Sequence, residues 1–182
     1  MQNAQPEHPY ERPSEPDAGV RAAAEGLLRR LTDAAERRTG AARVDDGDDT
    51  YEVSVAPGGR WRVMSSRIEW WYGPDGLASA VLTLAGAKPR EVTEPEGWIH
   101  PAVGLLWPQI LPVWGHPGDR YRPVDLLEGT QGPALVELAP TFGETVSGWP
   151  LELGGRLYVD AVRALVTRAE LGVRSWTLID VL

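Results

Sequence analysis

Residues 50–85 read TYEVSVAPGGRWRVMSSRIEWWYGPDGLASAVLTLA, and this stretch decides the fold class. Four of its segments either alternate apolar and polar residues or are rich in valine, leucine and threonine: Tyr51–Val55, Arg60–Met64, Ile68–Tyr72 and Ala78–Ala85. Alternation with a period of two is typical of β-strands that bury one face. The glycines and prolines of Ala56–Gly59 and Pro74–Gly76 are typical of tight turns. The stretch therefore predicts a four-stranded antiparallel meander.

The same alternation assigns side chains to the two faces of the meander. Trp70 and Trp71 are adjacent, so they must lie on opposite faces. The residues expected to share the buried face are Tyr51, Val53, Val55, Trp61, Val63, Ile68, Trp70, Tyr72, Leu82 and Leu84. The residues expected to face water are Arg60, Arg62, Glu69 and Thr83.

The chain before the meander predicts an arm and then one long helix. Residues 1–13 are polar and contain three prolines, which favours disorder. Ser14 is a typical N-cap, and apolar residues at steps of three and four continue toward Thr39. These apolar residues are Val20, Ala24, Leu27, Leu28, Leu31 and Ala35. Residues 14–182 are therefore expected to form a single α+β domain.

Four carboxylates lie close together in Asp45-Asp46-Gly47-Asp48-Asp49. An EF-hand calcium loop needs a spaced ligand set that ends in a glutamate at its twelfth position, and that pattern is missing. The segment is therefore interpreted as a solvated turn that leads into the first strand.

The chain after the meander predicts more strands around one irregular apolar segment. Residues 86–100 are expected to form a loop, and His100–Trp114, the proline segment, is apolar and interrupted by prolines. Prolines exclude a single regular helix or a central strand there, so short helical turns are expected that plug or lid a cavity or cover one end of the sheet. Residues 121–182 predict hairpins, with an irregular stretch at 141–153. The predicted fold is α+β: a strongly curved antiparallel sheet of about nine strands, a half-open barrel, with one long N-terminal helix and a helical lid.

Composition excludes several functional classes. The chain has 26 acidic and 18 basic residues and a net charge of −8, which disfavours nucleic-acid binding. Cysteine is absent, so disulfides and thiolate chemistry are excluded. The sequence contains no apolar run long enough for a transmembrane helix. The N-terminus lacks the basic and apolar regions of a secretory signal, so a cytoplasmic location is expected.

The order of these elements resembles the bacterial lipoprotein-carrier superfamily, the LolA-like fold, in a cytoplasmic form from high-GC Gram-positive bacteria. The resemblance covers about residues 18–182. It rests on a helix before a meander and on three segments: LWPQIL at 106–111, EGTQGPAL at 128–135 and RAELGV at 168–173. It implies a half-open barrel with helices in its concave mouth and a cavity that holds an acyl chain or another apolar group. Fold alone does not assign function.

Motifs of catalysis and metal binding are weak. His100 and His116 would need a third ligand such as Glu96 or Asp119 to hold zinc, and loop residues are the favoured interpretation. If Asp160 and Asp180 lie on the polar face of the sheet, they are ordinary surface carboxylates. If either points into the apolar interior, its pKa would be raised and it could act as a general acid. No metal and no cofactor are predicted.

The leading functional hypothesis is non-catalytic binding of an apolar, acyl-like or lipid-like small molecule on the concave face of the sheet. The first alternative is a barrel-pocket cyclase or isomerase of secondary metabolism that acts on an apolar substrate. The second is a protein–protein interaction module. The residues predicted to line the cavity are Trp61, Val63, Trp70, Leu82, Leu105, Trp107, Ile110, Val136 and Leu138.

Overall fold

The computed structural model describes residues 17–35, 38–72, 77–83, 88–94, 98–127, 133–141, 145–146, 149–150 and 154–182. Several predictions lie outside these residues. They are the disordered arm, the Ser14 cap, the turn at 74–76 and the position of Leu84.

Helix α1 spans Ala18–Ala35. Ala24, Leu27, Leu31 and Ala35 are its buried residues, so the predicted apolar stripe is the face that meets the core. The helix is shorter than predicted, because Arg38 and Thr39 are not helical and Gly40 begins a strand. The Arg38 guanidinium instead donates to the backbone carbonyls of residues far along the chain, and this tertiary contact outweighs helix propensity.

Thirteen strands follow within the described residues. Their bounds are β1 Gly40–Asp45, β2 Thr50–Ala56, β3 Arg60–Met64, β4 Ile68–Tyr72, β5 Ala78–Leu82, β6 Arg90–Thr93, β7 Tyr121–Leu127, β8 Ala134–Pro140, β9 Thr145–Val146, β10 Trp149–Pro150, β11 Gly155–Asp160, β12 Leu165–Leu171 and β13 Arg174–Val181. Eleven of them form one sheet in the order β6-β5-β4-β3-β2-β1-β13-β12-β11-β8-β7, and β9 pairs with β10 alone. The predicted count of about nine strands is therefore too low.

The large sheet is antiparallel, curved and unclosed, because its edge strands β6 and β7 do not pair with each other. The α+β class with a curved antiparallel sheet is confirmed. The chain returns to the middle of the sheet at its end, where β13 pairs with β1. This pairing joins the N-terminal meander to the C-terminal hairpins in one continuous hydrogen-bonded surface.

Register places the described residues on the predicted faces, although Tyr72 at the end of β4 is 38% exposed and not buried as expected. Val53 lies opposite Val63, Val63 opposite Trp70, and Trp70 opposite Ala80, so these side chains share the inner face of the sheet. Trp71 lies opposite Arg62 and therefore points to the outer face.

The carboxylate-rich segment is a turn, as predicted, but it joins β1 to β2 rather than preceding the first strand. Asp46 accepts the backbone N–H groups of Asp48 and Asp49 at 3.0 and 2.8 Å, and the Tyr51 hydroxyl at 2.8 Å. Three donors directed at one carboxylate explain why the turn tolerates so many acidic residues.

The proline segment forms two 3₁₀ helices, Pro101–Leu105 and Pro108–Ile110. Ala102, Val103, Leu105 and Leu106 are buried, and the first helix packs on β2, β3, β12 and β13. The prediction of a lid was wrong: the segment belongs to the core and packs against the inner face of the sheet. Gly104 allows the close approach, because a Cβ atom there would lie 2.3 Å from Leu111 Cδ2.

Helix α1 lies beside this segment and packs on β7 and on the second 3₁₀ helix. The hydrophobic core thus lies between the inner face of the sheet, the proline segment and α1. Within the described residues, no helix combines the length and apolar character needed to cross a bilayer.

Candidate ligand cleft

A cleft of about 700 Å³ opens between the proline segment and the inner face of the C-terminal hairpins. Its lining comes from the residues just before the proline segment, from that segment itself, from the entry to β7 and from the β12–β13 hairpin: Trp98, Ile99, His100, Pro101, Gly104, Ile110, Leu111, Pro112, Arg120, Tyr121, Leu171, Arg174 and Trp176. The volume is in the range of small-molecule sites.

The floor of the cleft is apolar and its rim is cationic. Leu111 and Trp176 are buried, with 4% and 6% of their surfaces exposed, while Arg120 and Arg174 are exposed. Arg174 and Trp176 lie two residues apart on β13, so their side chains share one face of the strand. Arg174, at the start of the strand, is exposed, and Trp176 is buried. The described part of the lining contains no aspartate or glutamate.

His100 is the buried polar residue of the cleft wall, with 6% of its surface exposed. Its Nδ1 accepts the backbone N–H of Ala102 at 3.2 Å and so caps the first 3₁₀ helix. Burial lowers the pKa of His100 to about 4, although the nearby Asp46 carboxylate opposes this shift. The ring is therefore neutral at pH 7. Since Nδ1 accepts a hydrogen bond, the proton lies on Nε2, which can only donate.

Aromatic rings surround His100. Its ring centroid lies 4.6 Å from that of Trp70, 5.0 Å from Tyr51 and 5.9 Å from Trp98. Trp61 extends this aromatic cluster, at 6.2 Å from Trp98. Trp98 belongs to both the cluster and the cleft lining, so the cleft wall continues directly into the core.

The turn between β1 and β2 closes the cluster from outside. Burial, followed by the hydrogen bond to Asp46, raises the pKa of Tyr51, so its hydroxyl stays protonated and donates. Burial alone would raise the pKa of Asp46, but the hydrogen bonds from Asp49, Tyr51 and Asp48 outweigh it and lower that pKa. Asp46 is therefore an anion held by the fold, which explains its electrostatic effect on His100.

The predicted lining residues mostly belong to the core around the cleft. Of these residues, Ile110 borders the cleft itself. Trp61 and Trp70 lie in the aromatic cluster. The others are spread along the inner face and the proline segment: Val63, Leu82, Leu105, Trp107, Val136 and Leu138. Leu138 also borders a separate cavity of about 340 Å³ whose lining includes Glu137, Arg156 and Glu170.

The candidate metal and acid residues lie apart. His116 is exposed, and its Nδ1 lies 3.6 Å from Asp119 Oδ2, whereas His100 is inside the cleft wall. Glu96 lies outside the described residues, and the described ones contain no group of three or more side chains placed to hold a metal ion.

Neither strand aspartate points inward. Asp160 accepts two N–H groups, those of Val162 and Arg163, in the β11–β12 turn. Asp180 pairs with Arg43 on the surface. The structure therefore offers no basis for an inward acid at these positions.

A further cavity of about 360 Å³ lies against α1, with Arg21, Glu25 and His116 among its lining residues. Both signs of charge are present there, in contrast to the main cleft. The main cleft is therefore the candidate functional site.

Comparison of the chain with protein-family models found no match, and a search of the curated proteins found none either. The resemblance to the LolA-like superfamily thus stays a prediction from the sequence.

Proposed function

We propose that the chain binds an apolar, acyl-like or lipid-like small molecule in the cleft beside the proline segment. The observation that carries the proposal is a cleft of about 700 Å³ with a buried aliphatic and aromatic floor. Burial of apolar ligand surface on such a floor is favourable by about 25 cal/mol per Å². The proposed site lies on the concave side of the sheet, as expected from the sequence. The residues proposed to contact the ligand are, however, Trp98, Leu111 and Trp176 rather than most of those predicted.

Native mass spectrometry of the purified chain, followed by solvent extraction, tests the proposal. We expect a co-purifying mass of an apolar compound, or saturable binding of the neutral fluorescent probe N-phenyl-1-naphthylamine. Absence of both would overturn the proposal.

A matched pair of variants locates the bound molecule. Ile110→Ser changes the cleft lining, whereas Ile179→Ser changes an isoleucine exposed on β13. We expect Ile110→Ser to weaken probe binding about tenfold, since it removes most of one aliphatic contact. Ile179→Ser should leave binding unchanged. Equal effects of the two variants would contradict binding in this cleft.

The placement of His100 favours an isomerase or cyclase as the second candidate function. A neutral imidazole that donates from Nε2 can polarise a substrate carbonyl in a pocket that excludes water. This hypothesis predicts that an extracted ligand is converted to an isomer of equal mass, and that His100→Asn abolishes the conversion. A protein-interaction module has less support, because it does not require a cleft of this volume.

A further inference from the structure

The charged side chains that line the cleft are positive, although the chain as a whole is negatively charged. The net charge is −8, yet the charged residues of the described lining are Arg120 and Arg174 alone. Six other described arginines pair with carboxylates, among them Arg62 with Glu69 at 2.7 Å and Arg156 with Glu137 at 3.4 Å, whereas the exposed Arg60 does not.

Arg120 and Arg174 have no such partner among the residues that the structure describes. An acidic protein that places two arginines without a carboxylate at one cleft has a local potential suited to an anion.

The backbone fixes the positions of both arginines. The Arg120 N–H donates to Pro112 O at 3.1 Å, and its carbonyl accepts from Thr141 N at 2.9 Å. Arg174 opens β13 and lies opposite Leu171 of β12. Both side chains are exposed and line the cleft, while Leu111 and Trp176 form its buried floor. The arrangement matches a molecule with one charged end and one apolar end.

We propose that the cleft takes an amphiphile whose anionic head, a carboxylate or a phosphate monoester, is bound by Arg120 and Arg174 above the apolar floor. This inference rests on the proposed function and names its ligand class. Guanidinium groups suit such heads because their planar fork donates two parallel hydrogen bonds to two oxygens.

Four probes with the same apolar chain test the inference: dodecanoate, dodecyl phosphate, dodecanol and dodecyltrimethylammonium. Their affinities are measured by displacement of N-phenyl-1-naphthylamine below the micellar concentrations. We expect at least one of the two anions to bind about tenfold or more tightly than both other probes. The ratio between dodecanoate and dodecyl phosphate identifies which head the cleft prefers.

Variants then assign the selectivity to the two arginines. Arg120→Gln and Arg174→Gln should each weaken binding of the preferred anion by about threefold to tenfold, as for charge-assisted bonds at a partly exposed site. Neither should change the affinity for dodecanol. Arg60→Gln is the matched control, since Arg60 is exposed, opens β3 and is not among the cleft lining residues. Both cleft arginines are exposed, so thermal unfolding without a probe should be nearly unchanged.

The outcomes separate the two proposals. If dodecanol binds as tightly as the anions, the head-group inference is overturned and apolar binding stands. If no probe binds, the proposed function fails and this inference with it. Selectivity that survives when Arg120→Gln and Arg174→Gln are combined in one chain would overturn the inference, because another site would then recognise the anion. As an independent readout, raising salt from about 50 to about 500 mM should weaken binding of the anion several-fold relative to dodecanol.

Discussion

His100 combines a structural role with a position in the cleft wall. Its Nδ1 caps a 3₁₀ helix, and its ring packs among Tyr51, Trp70 and Trp98. An imidazole in such surroundings avoids charge, because a cation there would lose hydration and gain only the attraction of Asp46. The folded state therefore binds a proton at His100 less readily than the unfolded chain does.

This difference predicts a pH dependence of stability. The pKa of His100 is about 4 in the fold, whereas its ordinary value is 6.5. Between pH 4 and pH 6.5 the unfolded chain therefore binds more protons than the folded chain does. The free energy of unfolding should be highest above pH 6.5 and fall as the pH drops toward 4, by about 3 kcal/mol in total. Urea unfolding at a series of pH values measures this slope.

The variant His100→Asn tests whether His100 causes this fall in stability. An asparagine oxygen can accept the Ala102 N–H and keep the cap, but it does not titrate. The fall between pH 6.5 and 4 should therefore largely disappear. The lowered pKa of Asp46 adds a loss of stability mainly below its ordinary value of 3.8, so it overlaps this window only at its acid end. A slope that persists in the variant would show that other groups cause it.

Among the elements, strands with one buried face were the predictable ones. The period of two in β2, β3 and β4 fixed both their existence and their inner faces. β1 was missed because Gly40-Ala41-Ala42 has weak strand propensity, and its pairing with β2 and β13 stabilises it instead. β6 was missed because all of its residues are exposed, so no apolar period marks it.

The cleft was less predictable than the strands. Apolar alternation identifies core residues, so it selects Val63 and Val136 as lining residues although the fold buries both completely. The rim depends instead on Arg120 and Arg174, which are far apart in sequence and polar. Their only local signal is the order Arg174-Ser175-Trp176, which places a cation and an aromatic ring on one face of a strand.

Two tryptophans of the proline segment, Trp107 and Trp114, allow the contribution of one hydrogen bond to stability to be measured. Trp107 and Trp114 are each 7% exposed. Trp114 Nε1 donates to Pro108 O at 2.7 Å, whereas Trp107 Nε1 is buried and has no partner in the part of the chain that the structure describes. Both substitutions by phenylalanine remove the same atoms. Trp114→Phe should therefore destabilise the fold more than Trp107→Phe, by about 1–3 kcal/mol, because only it leaves a carbonyl without its donor.

Chemical unfolding of the two variants at pH 7 tests this expectation. The comparison controls for the loss of ring volume, since tryptophan becomes phenylalanine in both. Equal destabilisation would contradict the assigned bond and would imply that packing alone holds the segment.

Arg38 connects parts of the molecule that are remote in sequence. Its guanidinium donates to Leu106 O in the proline segment, and to Arg163 O at 2.7 Å and Ala164 O at 3.0 Å in the β11–β12 turn. The backbone next to it is fixed to the end of α1, since Arg38 N–H donates to Ala35 O at 3.0 Å. One side chain therefore joins the helix, the core segment and the C-terminal half of the sheet.

The substitution Arg38→Met keeps an apolar stem but removes all of these donors. We expect a loss of about 2 kcal/mol in the free energy of unfolding, because backbone carbonyls lose bonds to a charged group in a half-buried site. Arg60→Met, at an exposed position, should stay within about 0.5 kcal/mol of the parent chain. Hydrogen exchange should also become faster in α1 and in the proline segment together. If only the helix became more mobile, Arg38 would be a local cap, and the helix and the core segment would be held together by apolar packing alone.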